Sequence, residues 1–293
     1  MTARYLVTGG AGFIGSHIAE ALVARGASVR VLDNLTTSNN ANLAALTAAQ
    51  QSSAGHYELL SGDIRDADTV RRAAEGVEVI FHHAAIASVA VSVADPVGTL
   101  AVNINGTQNV LTAAHAAGVR RVVFASSSAI YGDAPEQPKR EDMPPAPISP
   151  YAVHKLTGEH LCAVATSLYG VETVALRYFN VFGPRQNPDS EYSAVIPRFL
   201  TALLALRQPS VYGDGEQTRD FVYIENVVRA NLLAATAPDA VGKAINIGGG
   251  ERISLNAILR AASELLCVPC QPDYQPARPG DVRDSMADIS RAR

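Results

Sequence analysis

The sequence predicts an α/β fold, in which a doubly wound parallel sheet carries a smaller, interleaved lobe. Two observations lead to this prediction. Over roughly the first 180 residues, short apolar runs alternate with helical patterns, as expected for strands buried on both faces and joined by right-handed crossovers. Beyond that point the alternation loosens into segments rich in Pro, Gly and charge, such as GPRQNPDSEYS and CQPDYQPARPGD, which are longer than ordinary connections.

The elements follow in chain order. Seven runs are predicted as strands of the main sheet: RYLVT, SVRVLD, HYELLS, EVIFH, RVVFAS, ETVALR and AINIG. Helices are predicted between them at residues 13–25, 67–75, 99–117 and 151–169, and FVYIENVVRANLLAA contains one more before the last strand. Each helix thus links two strands that the crossover rule makes parallel.

This pattern divides the chain into two parts. We assign residues 1–180 and about 220–248 to the sheet domain, and about 181–219 and 249–293 to the smaller lobe. A helix-start signal at residues 288–290 lies close to the end of the sequence. It leads us to expect that a C-terminal segment is missing.

The composition is that of a globular protein. The 293 residues are 47% apolar with a net charge of −4, the basic residues are scattered and Trp is absent, so a nucleic-acid surface is not expected. Without a signal-peptide pattern or an apolar run long enough to cross a bilayer, we expect a soluble, cytoplasmic protein. Cys267 and Cys270 follow a helical segment, whereas a redox motif follows a strand, and two thiols leave a zinc site incomplete. His82 and His83 are adjacent on a strand, so their side chains diverge and no metal site is expected.

A glycine-rich turn, VTGGAGFIGSH, joins the first predicted strand to the first helix. Gly9, Gly12 and Gly15 provide the backbone freedom and close approach that a pyrophosphate requires, and the helix N-terminus offers unpaired N–H groups. The next strand ends at Asp33, from which a carboxylate reaches the ribose hydroxyls of a dinucleotide. A 2′-phosphate would be repelled there and DNLTTSNN supplies no arginine, so this Rossmann-type pattern favours NAD over NADP. Asp63, after the third strand, is either an acceptor for adenine or a turn residue.

A phenol and an amine share one face of the helix that SPYAVHK begins. Ser149 is a suitable N-cap and Pro150 suits the first helical position, so Tyr151 and Lys155 project together. A free tyrosine is a poor base at neutral pH, but a nearby ammonium and an oxidised nicotinamide are both expected to lower its pKa. Ser127, in FASSSAIYG at the end of the fifth strand, can hydrogen bond to the reacting oxygen.

Together these segments resemble the short-chain dehydrogenase/reductase superfamily, in its extended, sugar-nucleotide-modifying branch. The resemblance spans the whole chain and is carried by TGGAGFIG, SGDIRD, VNINGT, SSSAIYG, SPYAVHK, RYFNVFGPRQNP, GDGEQTRDFVYIENV and INIGGG. It is greatest to the NAD-dependent epimerases that act at C4 of UDP-hexoses. It implies a Rossmann-type sheet with a substrate-binding lobe, bound NAD and a homodimer built on the helices that start near residues 99 and 151.

The resemblance also implies a role for individual residues. The catalytic group would be Ser127, Tyr151 and Lys155. The NAD contacts would be Gly9, Gly12, Phe13, Ile14, Gly15, Asp33, Asn34, Asp63, Ile64, Ala84, Ala85, Ala87, Asn103, Tyr151, Lys155 and Tyr178. The contacts to the nucleotide sugar would be Ser88, Ser127, Ser128, Tyr151, Asn180, Val195, Tyr212, Arg219, Arg278 and Ser285. Tyr151 would take the proton of the 4-hydroxyl while C4 gives a hydride to NAD, and the resulting 4-keto sugar would turn over and take the hydride back.

The residue seven places after Arg278 indicates the sugar. In the family this position limits the space around the C2 substituent, and Ser285 leaves room for an N-acetyl group. We therefore favour UDP-GlcNAc and UDP-GalNAc, or their uronic acids, over UDP-glucose and UDP-galactose. A dehydratase would need an acid and a base where Ser128 and Ala129 stand. A non-enzymatic NAD-binding scaffold would be expected to have lost Tyr151 or Lys155.

Overall fold

The computed structural model describes residues 4–187, 195–277 and 282–293. Its strands are β1 Arg4–Thr8, β2 Ser28–Asp33, β3 His56–Ser61, β4 Val79–His82, β5 Arg121–Ser127, β6 Glu172–Tyr178, β7 Asn180–Phe182, β8 Ser210–Tyr212, β9 Thr218–Arg219, β10 Phe221–Tyr223, β11 Ala244–Ile247, β12 Ile253–Ser254 and β13 Asp273–Gln275. Its α-helices are α1 Phe13–Ala24, α2 Asn40–Gln51, α3 Ala67–Ala74, α4 Val89–Ala94, α5 Pro96–Leu100, α6 Thr107–Ala116, α7 Pro150–Tyr169, α8 Val195–Leu204, α9 Ile224–Ala234 and α10 Leu255–Leu266.

The predicted main sheet is confirmed. Within the described ranges it has seven parallel strands in the order β11-β6-β5-β4-β1-β2-β3. The chain moves outward from β1 through β2 to β3 and then returns to β4 on the other side of β1. This reversal opens a crevice beyond the carboxyl ends of β1 and β4, where open α/β sheets bind their ligands.

Two apolar layers cover the sheet. Val7 and Val123 belong to a core with α1, α2 and α9, whereas their neighbours Leu6 and Val122 belong to a second core with α3, α6 and α7. Because successive residues of a strand face opposite sides, both faces of each central strand are apolar. The continuous apolar runs in the sequence are the consequence.

Part of the helical layer differs from the sequence prediction. The helix predicted over residues 99–117 consists of α5, a π-helical turn at Ala101–Gly106, and α6. The helices α2 and α4 were missed, since their buried positions are few and partly polar, as with Asn42 and Ser92. Within the described ranges, no helix combines the length and apolar character that crossing a bilayer requires.

A third core lies outside the main sheet. The helices α8 and α10 pack against each other over the buried residues Phe199, Leu203, Val211, Leu255 and Leu259. Three two-stranded ladders, β10-β7, β12-β9 and β13-β8, lie in this half of the chain. They bring residues 180–182, 210–223 and 253–275 together beside the carboxyl edge of the main sheet.

Candidate active site

The glycine turn between β1 and α1 is a tight cradle. Gly9 has φ +68°, and a Cβ on Gly9 would lie 2.7 Å from the backbone nitrogen of Ala84. A Cβ on Gly15 would lie 2.2 Å from the carbonyl oxygen of Gly9. Gly12 caps α1 without a side chain, so the first-turn amides of Phe13 and Ile14 face outward from an uncovered helix end. This geometry fits the diphosphate of a dinucleotide.

Asp33 occupies the carboxyl end of β2 and is nearly buried. Its Oδ2 accepts from the backbone N–H of Ala11 at 2.9 Å, and its Oδ1 accepts from that of Leu35 at 2.8 Å. These bonds fix the carboxylate beside the glycine turn, and each oxygen keeps a further lone pair. A ribose diol fits this arrangement.

The other residues predicted to contact the adenosine half of NAD are Asn34, beside the ribose, and Asp63 and Ile64, beside the adenine. The amide of Asn34 donates to the carboxylate of Asp63 at 3.1 Å, and hydrogen bonds from Arg65 hold the pKa of Asp63 low, at about 2. Asp63 is therefore an ionised acceptor in reach of Asn34. The side chain of Ile64 is instead part of the apolar core, and its carbonyl accepts from the Asn109 amide at 2.9 Å.

The segment after β4 is held by Asn103. The amide of Asn103 accepts from the N–H of Ile86 at 2.8 Å and donates to its carbonyl at 3.1 Å. Asn103 lies in the π-helical turn, a deviation that often re-aims a side chain at a functional site. Asn103 thereby positions the stretch that carries Ala84, Ala85 and Ala87.

The two adjacent histidines have different partners, as their positions on a strand predicted. His82 bonds to Thr8 at 2.7 Å and to Thr107 at 3.0 Å, whereas His83 bonds to the phenol of Tyr178 at 2.9 Å. Burial lowers the pKa of both imidazoles to about 3, so both are neutral. Tyr178 is also bonded to Asn231, which fixes the phenol at the end of β6.

The start of α7 follows the prediction. Ser149 Oγ accepts from the backbone N–H of Ala152 at 3.2 Å, and Pro150 is the first helical residue. The buried Ser92 of α4 accepts from the N–H of Tyr151 at 3.0 Å. Two of the unpaired donors at this helix end are therefore satisfied, and the first turn of α7 is fixed against α4.

Tyr151 and Lys155 lie side by side, with the ammonium 5.9 Å from the centre of the phenol ring. Lys155 Nζ donates to the carbonyl oxygen of Ala125 at 2.8 Å. Burial lowers the pKa of Lys155 to about 8. Burial also raises the pKa of Tyr151, and a hydrogen bond with Ser127 partly opposes that rise.

The prediction that Lys155 lowers the pKa of Tyr151 is thus wrong for the protein chain by itself. Removing both groups from water disfavours their charged forms, and the ammonium of Lys155 is directed at Ala125 rather than at the phenol oxygen. A further positive charge in the crevice is what would favour the phenolate. The oxidised nicotinamide predicted from the sequence carries such a charge.

A cleft runs from Tyr151 into the smaller lobe. One cavity of about 270 Å³ at the Tyr151 end is lined by Val89, Ser127, Ser128, Ala129, Gly132, Lys139, Ile148, Ser149, Tyr151, Tyr178, Phe179, Asn180, Arg219, Val282 and Ser285. A second cavity of about 140 Å³ is lined by Asn180, Val195, Arg198, Phe199, Ser210, Val211, Tyr212, Gln217, Arg219 and Leu255. The two share Asn180 and Arg219, so they are adjoining parts of one elongated cleft. A nucleotide sugar likewise consists of two joined parts, the sugar and the nucleotide, so its shape fits a cleft of this kind.

Most of the predicted sugar-nucleotide residues lie along this cleft. The first cavity contains Ser127, Ser128, Tyr151, Asn180, Arg219 and Ser285, and the second contains Val195 and Tyr212. Ser88 instead caps α4, with its Oγ accepting from the N–H of Val91 at 3.1 Å. Arg278 lies outside the described residues.

Ser285 is part of a clamped segment. The carbonyl of Asp284 accepts from the Gln137 amide at 2.8 Å, and the carbonyl of Met286 accepts from the N–H of Lys139 at 2.7 Å. Ser285 is 9% exposed, and its Oγ has no hydrogen-bond partner among the described residues. The side chain therefore takes up little space in the cleft wall, and its buried Oγ is left without a partner there.

Several residues that line the cleft were not predicted from the sequence. Lys139 is 2% exposed and lines the first cavity because it bridges to Ala287, 148 positions away. Arg198 of α8 lies with its guanidinium 5.7 Å from the ring centre of Tyr212. Neither PKRED nor VIPRF has a spacing that marks these side chains, since both reach the cleft through long-range packing.

This chain is similar to known proteins along most of its length. A family model described as NAD dependent epimerase/dehydratase family matches residues 5–248. A UDP-glucose 4-epimerase of Mycolicibacterium smegmatis is 40% identical over 99% of this chain and 91% of its own length.

Two solved structures extend this similarity. A UDP-N-acetylglucosamine 4-epimerase from Methanobrevibacter ruminantium, solved with UDP-N-acetylmuramic acid, is 38% identical with a TM-score of 0.92, covering 100% of this chain and 91% of that one. A UDP-glucose 4-epimerase from Thermus thermophilus, solved with NAD, is 39% identical with a TM-score of 0.86, covering 98% and 91%.

Proposed function

The chain belongs to the NAD-dependent epimerase/dehydratase family as an NAD-dependent nucleotide-sugar 4-epimerase, and we propose that it interconverts UDP-GlcNAc and UDP-GalNAc. The observation that carries this choice of sugar is the small, unpaired side chain of Ser285 in the cleft wall. Its small size would leave space beside the sugar for an N-acetyl group.

We propose that the glycine cradle and its neighbours hold NAD. The amides of Phe13 and Ile14 would bind the diphosphate, Asp33 with Asn34 the adenosine ribose, and Asp63 with Ile64 the adenine. Lys155 and Tyr178 would hold the nicotinamide half at the ends of β5 and β6. Bound NAD supplies the redox chemistry, by accepting a hydride from C4 of the sugar and returning it.

The protein's own groups move the proton. Tyr151 lines the first cavity, where its phenol would take the proton of the sugar 4-hydroxyl. Ser127 hydrogen bonds to this phenol and would hold the reacting oxygen in line. Because burial raises the pKa of Tyr151, the phenol would stay protonated until a further cation, in addition to Lys155, is placed beside it.

The second cavity would hold the nucleotide. Tyr212 contributes an aromatic ring that has the guanidinium of Arg198 next to it, and Val195 contributes an apolar wall. Arg219 lies between the two cavities, where a diphosphate links uridine to the sugar. With Arg278 it would supply the forked donors that bind phosphate oxygens in pairs.

Four UDP-sugars test the proposed substrate: UDP-GlcNAc, UDP-GalNAc, UDP-glucose and UDP-glucuronate. The parent should turn over the first two with the highest kcat/KM. Ser285→Tyr should reduce kcat/KM for UDP-GlcNAc by about a hundredfold and that for UDP-glucose by much less, because only the larger sugar needs the space. Ser290→Tyr, at an exposed position nearby, is the matched control. Equal losses with both sugars, or a parent that prefers UDP-glucose, would contradict the proposal.

The buried Lys139 supports a second candidate, a UDP-uronic acid. Its side chain lines the same cavity as Ser285, and its ammonium donates to the carbonyl oxygen of Ala134. A carboxylate at C5 of the sugar would be a stronger partner for this ammonium. If UDP-glucuronate is the best substrate of the parent, and Lys139→Met removes that preference, this candidate replaces the first.

We also propose a division of labour and a homodimer. Residues 1–180 and about 220–248 would hold NAD, and the part with its own core around Phe199 and Leu259 would hold the nucleotide sugar. The dimer would form through the helical layer of α4, α5 and α7, which pack against one another. Exposed apolar side chains on this layer include Val97, Leu100 and Leu168, an arrangement typical of interfaces.

A further inference from the structure

A carboxylate also lies on the face of α7 that carries Tyr151 and Lys155. Tyr151, Lys155 and Glu159 follow one another at intervals of four residues, so their side chains project from successive turns on the same side of the helix. The side chain of Glu159 is 10% exposed. The mechanism proposed above does not use it.

Glu159 binds two side chains of neighbouring strands. Its Oε1 accepts from Ser126 Oγ at 2.5 Å and from Arg177 Nε at 2.9 Å, and its Oε2 accepts from Arg177 Nη2 at 2.8 Å. Ser126 and Arg177 are register partners on β5 and β6. The carboxylate therefore ties α7 to both strands through a bidentate, buried ion pair.

Three successive turns of α7 thus bind three successive residues of β5. Lys155 donates to the carbonyl of Ala125, Glu159 accepts from Ser126, and Tyr151 lies close enough to Ser127 for that hydroxyl to lower the pKa of the phenol. A slide or rotation of α7 by one residue would break all three contacts. The contact of Glu159 is the one reinforced by an ion pair, so it has the greatest influence on the register.

Arg177 extends the tie to the wall of the cleft. Its Nη1 donates to the phenol oxygen of Tyr131 at 2.8 Å, and that phenol donates to Asn246 of β11 at 2.7 Å. Tyr131 ends the short 3₁₀ turn Ser128–Tyr131, which begins with a cleft residue. One buried guanidinium therefore connects the catalytic helix to the turn that lines the sugar cavity.

We propose that Glu159, through Ser126 and Arg177, is a positioning residue that sets Tyr151 and Lys155 against Ser127. This inference rests on the roles proposed above for Tyr151 and Lys155. Glu159 is not among the residues that line either cavity of the cleft. Its effect on turnover comes from the alignment of the other two side chains.

The proposal can be tested by comparing two ion pairs that join the same strands, Glu159–Arg177 and Glu172–Arg121. Glu172 binds Arg121 across the same two strands at their opposite end, with the Nη2 and Oε2 atoms 2.7 Å apart. Glu159→Gln and Ser126→Ala disturb the tie next to the catalytic face, whereas Glu172→Gln disturbs a similar pair far from it. Ser126→Ala removes a single hydroxyl and leaves the Glu159–Arg177 pair in place, so it stays informative if Glu159→Gln does not fold.

Two measurements separate positioning from stability. The first is steady-state kinetics. We expect Glu159→Gln and Ser126→Ala to lower kcat by about tenfold or more while KM changes by less than about twofold, which is the result expected when alignment is lost. The second is competitive acetylation of lysine as a function of pH, on the purified protein with and without added NAD. The chain has three lysines, so the site of each acetyl group is easily assigned by mass spectrometry.

The titration midpoint of Lys155 is the decisive value. Its pKa of about 8 arises from burial, so a loosened α7 should admit water and raise the midpoint by about one pH unit. Glu172→Gln should leave both kcat and this midpoint unchanged. If Ser126→Ala and Glu159→Gln behave like Glu172→Gln in both measurements, the proposal is wrong and Glu159 only stabilises the fold. A moved midpoint in a protein that epimerises none of the UDP-sugars would refute the proposed function and support the positioning role.

Discussion

The ammonium of Lys155 lies 2.8 Å from the carbonyl oxygen of Ala125, two residues before the serine that bonds to Tyr151. This contact fixes an amine from the helix at the carboxyl end of the central strand. The amine is buried there at a cost, because an ammonium prefers water. Its lowered pKa is the measurable sign of that cost.

The first prediction concerns stability and pH. The folded pKa of Lys155, about 8, is below the ordinary value of 10.5, so between these values the unfolded chain binds more protons and stability from this group rises with pH. Relative to Lys155→Met, the free energy of unfolding of the parent should increase by about 3 kcal/mol between pH 7 and pH 11. Chemical denaturation at several pH values measures it. Lys243→Met, at an exposed position, should show no such trend. If the difference in the free energy of unfolding between the parent and Lys155→Met does not change with pH, the burial of a charged amine is contradicted.

The second prediction concerns Tyr151→Phe. Removing the phenol oxygen should lower kcat by about a thousandfold, since a positioned general base contributes on this scale. NAD should still be retained, because the cradle around Gly9 and Gly15 is unchanged. Steady-state kinetics and measurement of bound NAD check both points. Tyr169→Phe, at the exposed end of the same helix, is the control, and a rate for Tyr151→Phe within tenfold of the parent would show that the catalytic role is misassigned.

The third prediction concerns the choice of cofactor. Asp33→Asn keeps the size of the side chain but removes the charge that repels a 2′-phosphate. We expect the ratio of the Kd values for NADP and NAD to fall by about tenfold, which corresponds to about 1.4 kcal/mol. Calorimetric titration of each dinucleotide measures this ratio. Asp63→Asn, at the next strand end, should weaken both dinucleotides equally, and an unchanged ratio in Asp33→Asn would argue against the proposed ribose contact.

The fourth prediction concerns the exposed apolar layer. Leu168, near the C-terminal end of α7, is 71% exposed, and Val97 of α5 is 77% exposed. Leu168→Glu and Val97→Glu would place charges in the proposed interface, so both should shift a dimer to monomer in analytical ultracentrifugation. Leu206→Glu, at an 80% exposed position after α8, should not. A monomeric parent, or variants that remain dimeric, would rule out this face.

Where the physical cause is local, the sequence alone was sufficient. The strands are visible because each is buried on both faces and therefore apolar throughout, as Leu6 and Val7 illustrate on opposite sides of β1. The glycine turn, the Ser149 cap and the alignment of Tyr151 with Lys155 depend on residues within a few positions of one another. Backbone sterics and helix geometry act over the same distance.

Only the tertiary structure decided the features that depend on distant parts of the chain. Lys139 enters the cleft because it pairs with Ala287, and Glu159 meets Ser126 and Arg177 because α7 packs across β5 and β6. The direction of the Tyr151 pKa also belongs here. The spacing to Lys155 predicted a fall, but burial by many elements raised it, since desolvation sums contributions from the whole fold. Short-range pattern therefore determined which groups face each other, and long-range packing determined their surroundings and their charge.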